Sequence, residues 1–242
     1  RLQGDWSSDV CSSDLSKQTN MKRIFLVTAF VIFTSIIAVS QNDNFYTTTG
    51  GEMIFSFATI EDNGSDNGNV MRWSPFFNVQ THGNYDVNKN LGFIFGLGIR
   101  NVGFIYNEPG SSTKKKFRNY NLAIPVGVKL GNLNKVFFYG GYEIEFPFNY
   151  KEKTYIDEQK TKFNVWFSKR VPSYYNTVFV GVQFPYGLSL KFKYYLSEFF
   201  NQGYTESDGT QPYKGLKANV FYFSITSSLF RNTTAVYKED WD

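Results

Sequence analysis

Along most of this chain, large apolar side chains alternate with small, polar or charged ones. In segments 120–130 and 188–194 every second residue is large and apolar, and the residues between them are small, polar or charged. A period of two residues is that of a β-strand. The pattern recurs eight times, so the sequence predicts an all-β protein with strands at approximately 50–59, 69–82, 90–106, 117–131, 135–149, 175–185, 187–199 and 216–230.

The connections between these segments alternate in length. Short or moderate connections lie at 83–89, 132–134 and Tyr186, and longer ones at 60–68, 107–116, 150–174 and 200–215. An even strand number with this asymmetry is typical of a transmembrane antiparallel up-and-down β-barrel, with the short turns in the periplasm and the long loops outside the cell. One slip in the alternation, at Asn101, predicts a β-bulge.

The ends of the chain are predicted to lie outside the barrel. Residues 1–20, adapter-like at 5–15, are interpreted as an artefact, 21–40 as a signal peptide, 41–230 as the barrel and 231–242 as a tail. The apolar run 24–39 has 16 residues, short of the roughly 20 that a transmembrane helix needs. Cys11 is the only cysteine and falls in the leader, which excludes disulfides and cysteine metal sites. From Gln41 onward, 21 basic and 18 acidic side chains give a charge of +3, too mild to indicate nucleic-acid binding.

Residue size predicts which face of the barrel points outward. One face carries bulky residues such as Phe93, Phe95 and Leu97, and the opposite face carries Gly92 and Gly96. A soluble barrel would fill its outer face with polar side chains, whereas small residues fit the crowded interior of a narrow barrel. We therefore expect the bulky face to meet lipid, in preference to a soluble lipocalin-like arrangement.

The small face also carries charges, which the same parity places in the lumen. An eight-stranded barrel is only wide enough to be filled by side chains, so we expect these charges to pair and close the lumen, with a solute pathway as the alternative. Glu143 and Glu145 could also be read as a catalytic acid/base pair, but a structural network is favoured. No metal site or cofactor is expected, because His82 is the only histidine. The predicted lumen charges are Glu52, Arg72, Arg100, Lys129, Glu143, Glu145, Lys191 and Lys193.

The long loops contain two further candidate sites. A basic run in the third connection is expected to contact lipopolysaccharide phosphates, although such runs are usually solvated loop. Aromatic residues near the fifth connection are candidate binding anchors. The basic residues are Lys114, Lys115, Lys116 and Arg118, and the aromatic residues are Trp166, Phe167, Tyr174 and Tyr175.

The chain resembles the small outer-membrane β-barrels called "porin family" or "outer-membrane β-barrel domain", with OmpA-, OmpX- and OmpW-like barrels. The resemblance covers about 41–230 and rests on the signal ending before Gln41, the eight strands, and stretches such as 72–78 and 179–183. It implies insertion into the bacterial outer membrane by the barrel-assembly machinery, and the family has no shared catalytic motif to carry over; no enzymatic activity is expected from the residues. The expected function is structural, adhesive or surface-binding, in a monomer; the alternative is a narrow channel for small solutes or ions.

Overall fold

The computed structural model describes residues 44–67, 70–108, 110–157 and 159–231. This part of the chain forms eleven β-strands and one short 3-10 turn at Pro185–Gly187. The predicted leader, signal peptide and tail fall outside the described residues, except for Arg231. The strands are β1 Phe45–Asp62, β2 Ser65–Asn67, β3 Arg72–Ser74, β4 Val79–Asp86, β5 Leu91–Asn107, β6 Lys114–Gly131, β7 Phe137–Ile156, β8 Gln159–Trp166, β9 Tyr175–Gln183, β10 Leu188–Tyr195 and β11 Leu216–Arg231.

Eight of these strands close into a ring. The order is β1–β4–β5–β6–β7–β9–β10–β11, and β11 pairs back onto β1 from Thr48↔Arg231 to Asp62↔Leu216. Every pairing is antiparallel. Closure removes the unpaired edges that an open sheet would leave. The prediction of an eight-stranded antiparallel up-and-down barrel is confirmed.

The two ends of the barrel differ, as the connection lengths predict. At the end that we call the turn end, short connections lie at 87–90, 132–136 and 184–187. At the opposite end, the loop end, the connections include 108–113 and 196–215. Three additional strands extend this end: β2 and β3 pair with β1, and β8 pairs with β7.

The predicted strand 69–82 is interrupted. β3 ends at Ser74 and β4 begins at Val79, so the register on β1 shifts between Ile54↔Ser74 and Gly51↔Val79. Pro75 has no N–H to donate to a ladder, and Phe77 has a φ of +63°, so the chain bulges outward here. Asn78 restores two lost bonds: its carbonyl accepts the Glu52 N–H at 2.9 Å and its Oδ1 accepts the Asn101 N–H at 2.6 Å.

The predicted loop 150–174 is wrong for most of its length. β7 continues to Ile156 and β8 returns antiparallel to it, pairing from Asn149↔Trp166 to Ile156↔Gln159. The alternation persists here, with Tyr150 and Phe163 facing inward, but lysines occupy the outer positions and hide the usual apolar signal.

The predicted bulge at Asn101 is also wrong. The β5–β6 register runs without a shift from Gly98↔Ala123 to Asn107↔Lys114. Arg100 and Val102 both point inward, and their difference in character marks a change from a charged to an apolar layer of the lumen. Register shifts lie instead on β7 at Phe148, next to Pro147, in the pairing with β6, and between Thr49 and Gly50 in the β1–β11 pairing.

Candidate functional site

A balanced set of charges fills the middle of the barrel. Arg100 Nη1 lies 3.1 Å from Glu52 Oε2, and Lys191 Nζ lies 2.8 Å from Glu52 Oε1. Lys193 contacts both Glu143 and Glu145, the latter at 2.9 Å. Three carboxylates therefore face three cations, in side chains with almost no exposure. We call these residues the lumen charge cluster: Glu52, Arg100, Glu143, Glu145, Lys191 and Lys193.

Neutral side chains complete the hydrogen bonding of this cluster. Asn121 Nδ2 and the Tyr195 hydroxyl each donate to Glu145 Oε2 at 2.6 Å. Ser224 donates to Glu52 from the last strand. These partners lie on other strands, so the sequence alone does not identify them without the strand register.

Two of the predicted lumen charges do not join the cluster. Lys129 lies nearer the turn end, where it contacts Asp86 and donates to the Tyr46 hydroxyl at 3.1 Å. Arg72 is buried, but it donates to the carbonyl and side chain of Asn101, at 3.0 and 2.6 Å. Its place in the predicted charge network is therefore wrong: β3 ends before the bulge, and Arg72 spans the gap between β3 and β5.

An aromatic layer closes the loop end above the charges. Segment 196–215 folds back over the barrel and inserts Phe199 and Phe200. Phe200 stacks on Tyr213 with ring centroids 4.3 Å apart and meets Phe117 edge-on at 4.9 Å. Edge-to-face and stacked contacts of this kind add to the burial of the rings. We call this set the aromatic cap: Phe104, Phe117, Tyr150, Tyr175, Tyr195, Phe199, Phe200 and Tyr213.

The turn end contains a small polar cavity. It measures about 50 Å³, and its lining includes Gln80, His82, Lys129 and Tyr139. A cavity of this size with polar walls can hold a few water molecules. Water therefore has a place below the charge cluster, whereas the cap above it is packed.

The predicted aromatic anchors divide into two groups. Trp166, Phe167 and Tyr174 are 59%, 68% and 51% exposed. Tyr175 is only 1% exposed, so its prediction as a loop anchor is wrong. It is the first residue of β9 and points inward, where it accepts a hydrogen bond from Asn119 and donates one to the Phe199 carbonyl, both at 2.8 Å.

The predicted basic loop is a strand. Lys114, Lys115, Lys116 and Arg118 begin β6 and pair with β5 on one side and β7 on the other. The four are not equivalent, because successive side chains in a strand point to opposite faces. Lys115 shares the inner parity of Phe117 and lies 3.8 Å from Glu108, whereas the other three share the outer face.

One arginine joins the two longest loop-end segments. The Arg170 guanidinium lies over the rings of Phe163 and Tyr204, 4.9 and 4.8 Å from their centroids. It also forms a 2.6 Å ion pair with Glu206 and donates to the Tyr213 hydroxyl. Partial burial opposes its charge, but these hydrogen bonds outweigh burial and raise the pKa of Arg170. We call this arrangement the Arg170 clasp.

The outer face of the barrel carries an exposed apolar belt. Along β6, ten residue steps separate Leu130 from Tyr120, which at ~3.4 Å per residue and a strand tilt of ~40–45° gives a belt roughly 25 Å high. Aromatic rings border it toward the loop end: Tyr120 lies 6.1 Å from Phe77 and 6.4 Å from Phe148, which stacks on Trp166 at 5.9 Å. We call these four residues the aromatic band. The exposed belt includes Phe93, Phe95, Ile99, Ile124, Val126, Val128, Leu130, Phe138, Val178, Val180, Leu190, Phe223 and Ile225.

Within the described ranges, no group of three or more His, Cys, Asp or Glu residues is arranged to hold a metal ion. No helix in the described part of the chain is long and apolar enough to cross a membrane.

Comparisons with known proteins add similarities of fold. No family model and no curated protein matches the chain. Solved structures that match include Ail, the attachment invasion locus protein of Yersinia pestis, in complex with the heparin analogue sucrose octasulfate (13% identity, 75% of this chain and 98% of that chain, TM-score 0.36). Neisserial surface protein A matches at 11% identity over 76% and 96% of the two chains, with a TM-score of 0.37. The N-terminal β-barrel domain of Pseudomonas aeruginosa OprF matches at 5% identity over 74% and 98%, with a TM-score of 0.25.

These chains are similar to ours in fold. Because their TM-scores and identities are low, the assignment of the barrel depends on the strand pairing of this chain itself. At the level of that architecture, the resemblance to small outer-membrane β-barrels is confirmed.

Proposed function

We propose that this protein is a non-enzymatic β-barrel of the bacterial outer membrane that presents its loop end at the cell surface for a structural, adhesive or surface-binding role. The observation that carries this proposal is the division of the barrel into an apolar outer belt and a filled interior. A belt roughly 25 Å high, bordered by aromatic rings, matches the hydrocarbon thickness that outer-membrane barrels cover. Insertion by the barrel-assembly machinery and a monomeric state belong to the same proposal.

The filled interior argues for presentation in preference to conduction. The lumen charge cluster links β1, β5, β7 and β10 across the barrel, and the aromatic cap packs above it. A solute would have to separate buried ion pairs and displace packed rings, both of which are costly. Trp166 belongs to the aromatic band, so among the exposed aromatic residues at the loop end Phe167 and Tyr174 remain available to partners.

Reconstitution tests the proposal against the narrow channel. Purified protein is inserted into liposomes and planar bilayers, and heat-shifted migration on detergent gels verifies the folded barrel. We expect the protein to fractionate with the outer membrane and to give neither solute-size-dependent swelling nor stable single-channel steps. Large, reproducible conductance would support the channel, and absence from the outer-membrane fraction would overturn the proposal entirely.

A further inference from the structure

Seven cations share the outer face of the barrel at the loop end. They lie on β6, β7 and β8, where the intervening residues Phe117, Tyr150 and Phe163 point to the core and thereby turn the cations outward. Lys151 confirms the direction, because its Nζ lies 4.8 Å from the ring centroid of Tyr120 in the aromatic band. We call them the outer cation surface: Lys114, Lys116, Arg118, Lys151, Lys153, Lys160 and Lys162.

The register sets these like charges directly opposite one another. Arg118 pairs with Lys151 across β6 and β7, and Lys153 pairs with Lys116 on one side and Lys162 on the other. Like charges in opposed positions destabilise a sheet. Burial and the neighbouring cations lower the pKa of both Lys116 and Lys153.

No carboxylate balances this surface among the described residues. None of the seven cations has a described acidic side chain within ion-pairing distance, in contrast to the cluster inside the barrel. Two acidic residues are described in segments 114–118 and 151–166: Glu152 points inward and accepts hydrogen bonds from Tyr150 and Tyr213, and Asp157, in the turn between β7 and β8, accepts one from Ser112. An anion from outside the chain would relieve the repulsion.

Protection of a strand edge explains only part of the pattern. Lysines commonly keep an exposed edge from pairing with other chains, and β8 is such an edge, which accounts for Lys160 and Lys162. Lys116 and Arg118 lie on β6, which is paired on both sides. Their charge has no role in edge protection, so a ligand explains them better.

The height of the surface indicates which anion. Arg118 follows the pattern of the outer face immediately beyond Tyr120, so the cations begin where the aromatic band ends. In the membrane orientation of the proposed function, on which this inference depends, that level is the headgroup region of the outer leaflet. We propose that the outer cation surface binds the phosphate groups of a phosphorylated glycolipid in that leaflet, through a site built across three strands.

Binding of lipid A, with and without its phosphates, tests this site. Folded protein in detergent is titrated with bisphosphorylated or dephosphorylated lipid A, and bound lipid is counted by native mass spectrometry. The test variant carries Lys116→Gln, Arg118→Gln, Lys151→Gln and Lys153→Gln. The matched control carries Lys89→Gln, Lys135→Gln, Lys169→Gln and Lys214→Gln, which remove the same charge at exposed positions away from the surface.

We expect the phosphorylated lipid to bind the test variant at least ~10-fold more weakly than the unmodified protein or the control, because each surface cation contributes to attraction of anionic lipid. Dephosphorylated lipid should bind all three proteins equally weakly. Equal binding of phosphorylated lipid by the test variant overturns the inference. So does inorganic phosphate binding as tightly as the lipid, or a sulfated oligosaccharide displacing the lipid at lower concentration.

The same preparations separate this inference from the proposed function. Each variant is verified by its heat-shifted gel mobility and then tested for conductance. A conducting protein contradicts the sealed barrel while the lipid titration remains readable. A barrel that does not conduct and binds phosphorylated and dephosphorylated lipid A equally contradicts the inference but not the proposed function.

Discussion

Single residues in the lumen link strands that are not direct neighbours in the barrel. Lys193 on β10 contacts Glu143 and Glu145 on β7, and Arg100 on β5 reaches both Glu52 and Glu143. Buried ion pairs add little net stability compared with apolar packing, because both charges lose their hydration. Breaking one pair is different, since it leaves an uncompensated buried charge.

Removing Lys193 should therefore be costly. We expect Lys193→Met to lower the free energy of unfolding by about 3–5 kcal/mol, because two buried carboxylates lose their shared cation. Urea-induced unfolding in lipid vesicles measures the difference. The control is Lys217→Met, which breaks a half-exposed pair with Glu61 at 3.4 Å and should cost at most about 1 kcal/mol. Similar losses of unfolding free energy in the two variants would show that the buried ion pairs of Lys193 contribute no more to stability than the half-exposed pair of Lys217.

Glycine is required where two strands approach closely inside the barrel. A Cβ on Gly141 would lie 2.1 Å from the Val126 carbonyl oxygen of the neighbouring strand, which is backbone and cannot move aside cheaply. A Cβ on Gly51 of β1 would meet nothing within 4 Å. We expect Gly141→Ala to lower the midpoint of urea unfolding and Gly51→Ala to leave it nearly unchanged. A loss at Gly51 as large as that at Gly141 would contradict crowding as the cause, because alanine at an uncrowded position restricts the unfolded chain and should not destabilise the barrel.

At the scale of elements, the β7–β8 hairpin depends on contacts with another loop. β8 pairs with β7 alone, and its exposed side chains give it few buried apolar contacts. The Arg170 clasp ties Phe163 of β8 to Tyr204 and Glu206 of segment 196–215. The clasp therefore couples the two longest loop-end segments.

Loss of the clasp should loosen β8 selectively. We expect Arg170→Met to accelerate amide hydrogen exchange of residues 159–166 at least several-fold, because both its ion pair and its ring contacts disappear. Exchange in β5 and in the barrel part of β11 serves as the internal control and should not change. Uniform acceleration over the whole barrel would mean that Arg170 supports global stability, and unchanged exchange in β8 would mean that strand pairing alone holds the hairpin.

Elements also differ in how well the sequence predicts them. The period of two and the connection lengths predict the ring and its two ends, because both depend only on local pattern. The interruption at Pro75 and the strand β8 do not follow from this local pattern, since each depends on pairing with β1 or β7. For the same reason the predicted place of Arg72 in the charge network is wrong: parity predicts on which face its side chain begins, and only the register shows that its guanidinium reaches Asn101. Tyr175, a predicted binding anchor, is likewise the first residue of a strand and points into the barrel.

At the scale of the whole molecule, three layers follow one another along the barrel. A small polar cavity lies at the turn end, the lumen charge cluster in the middle and the aromatic cap at the loop end. The cap keeps water from reaching the charges through the loop end. The attraction between those charges is therefore stronger than it would be in water. Outside, the belt, the aromatic band and the outer cation surface follow the same axis. The two ends of the barrel are therefore different, and the proposed function requires the loop end to face the outside of the cell.

Labelling in intact cells measures that orientation. In a chain with Cys11 replaced by Ser, a single cysteine is introduced at Ser207→Cys at the loop end or Lys135→Cys at the turn end, both exposed positions. A maleimide that cannot cross membranes should label the first variant in intact cells, and the second only after the outer membrane is opened, because long loops of such barrels face outward. Both should react equally in purified, detergent-solubilised protein, which controls for thiol reactivity. Labelling of Lys135→Cys alone in intact cells would show that the barrel has the opposite orientation. The outer cation surface would then lie in the periplasmic leaflet, away from the glycolipid that it is proposed to bind.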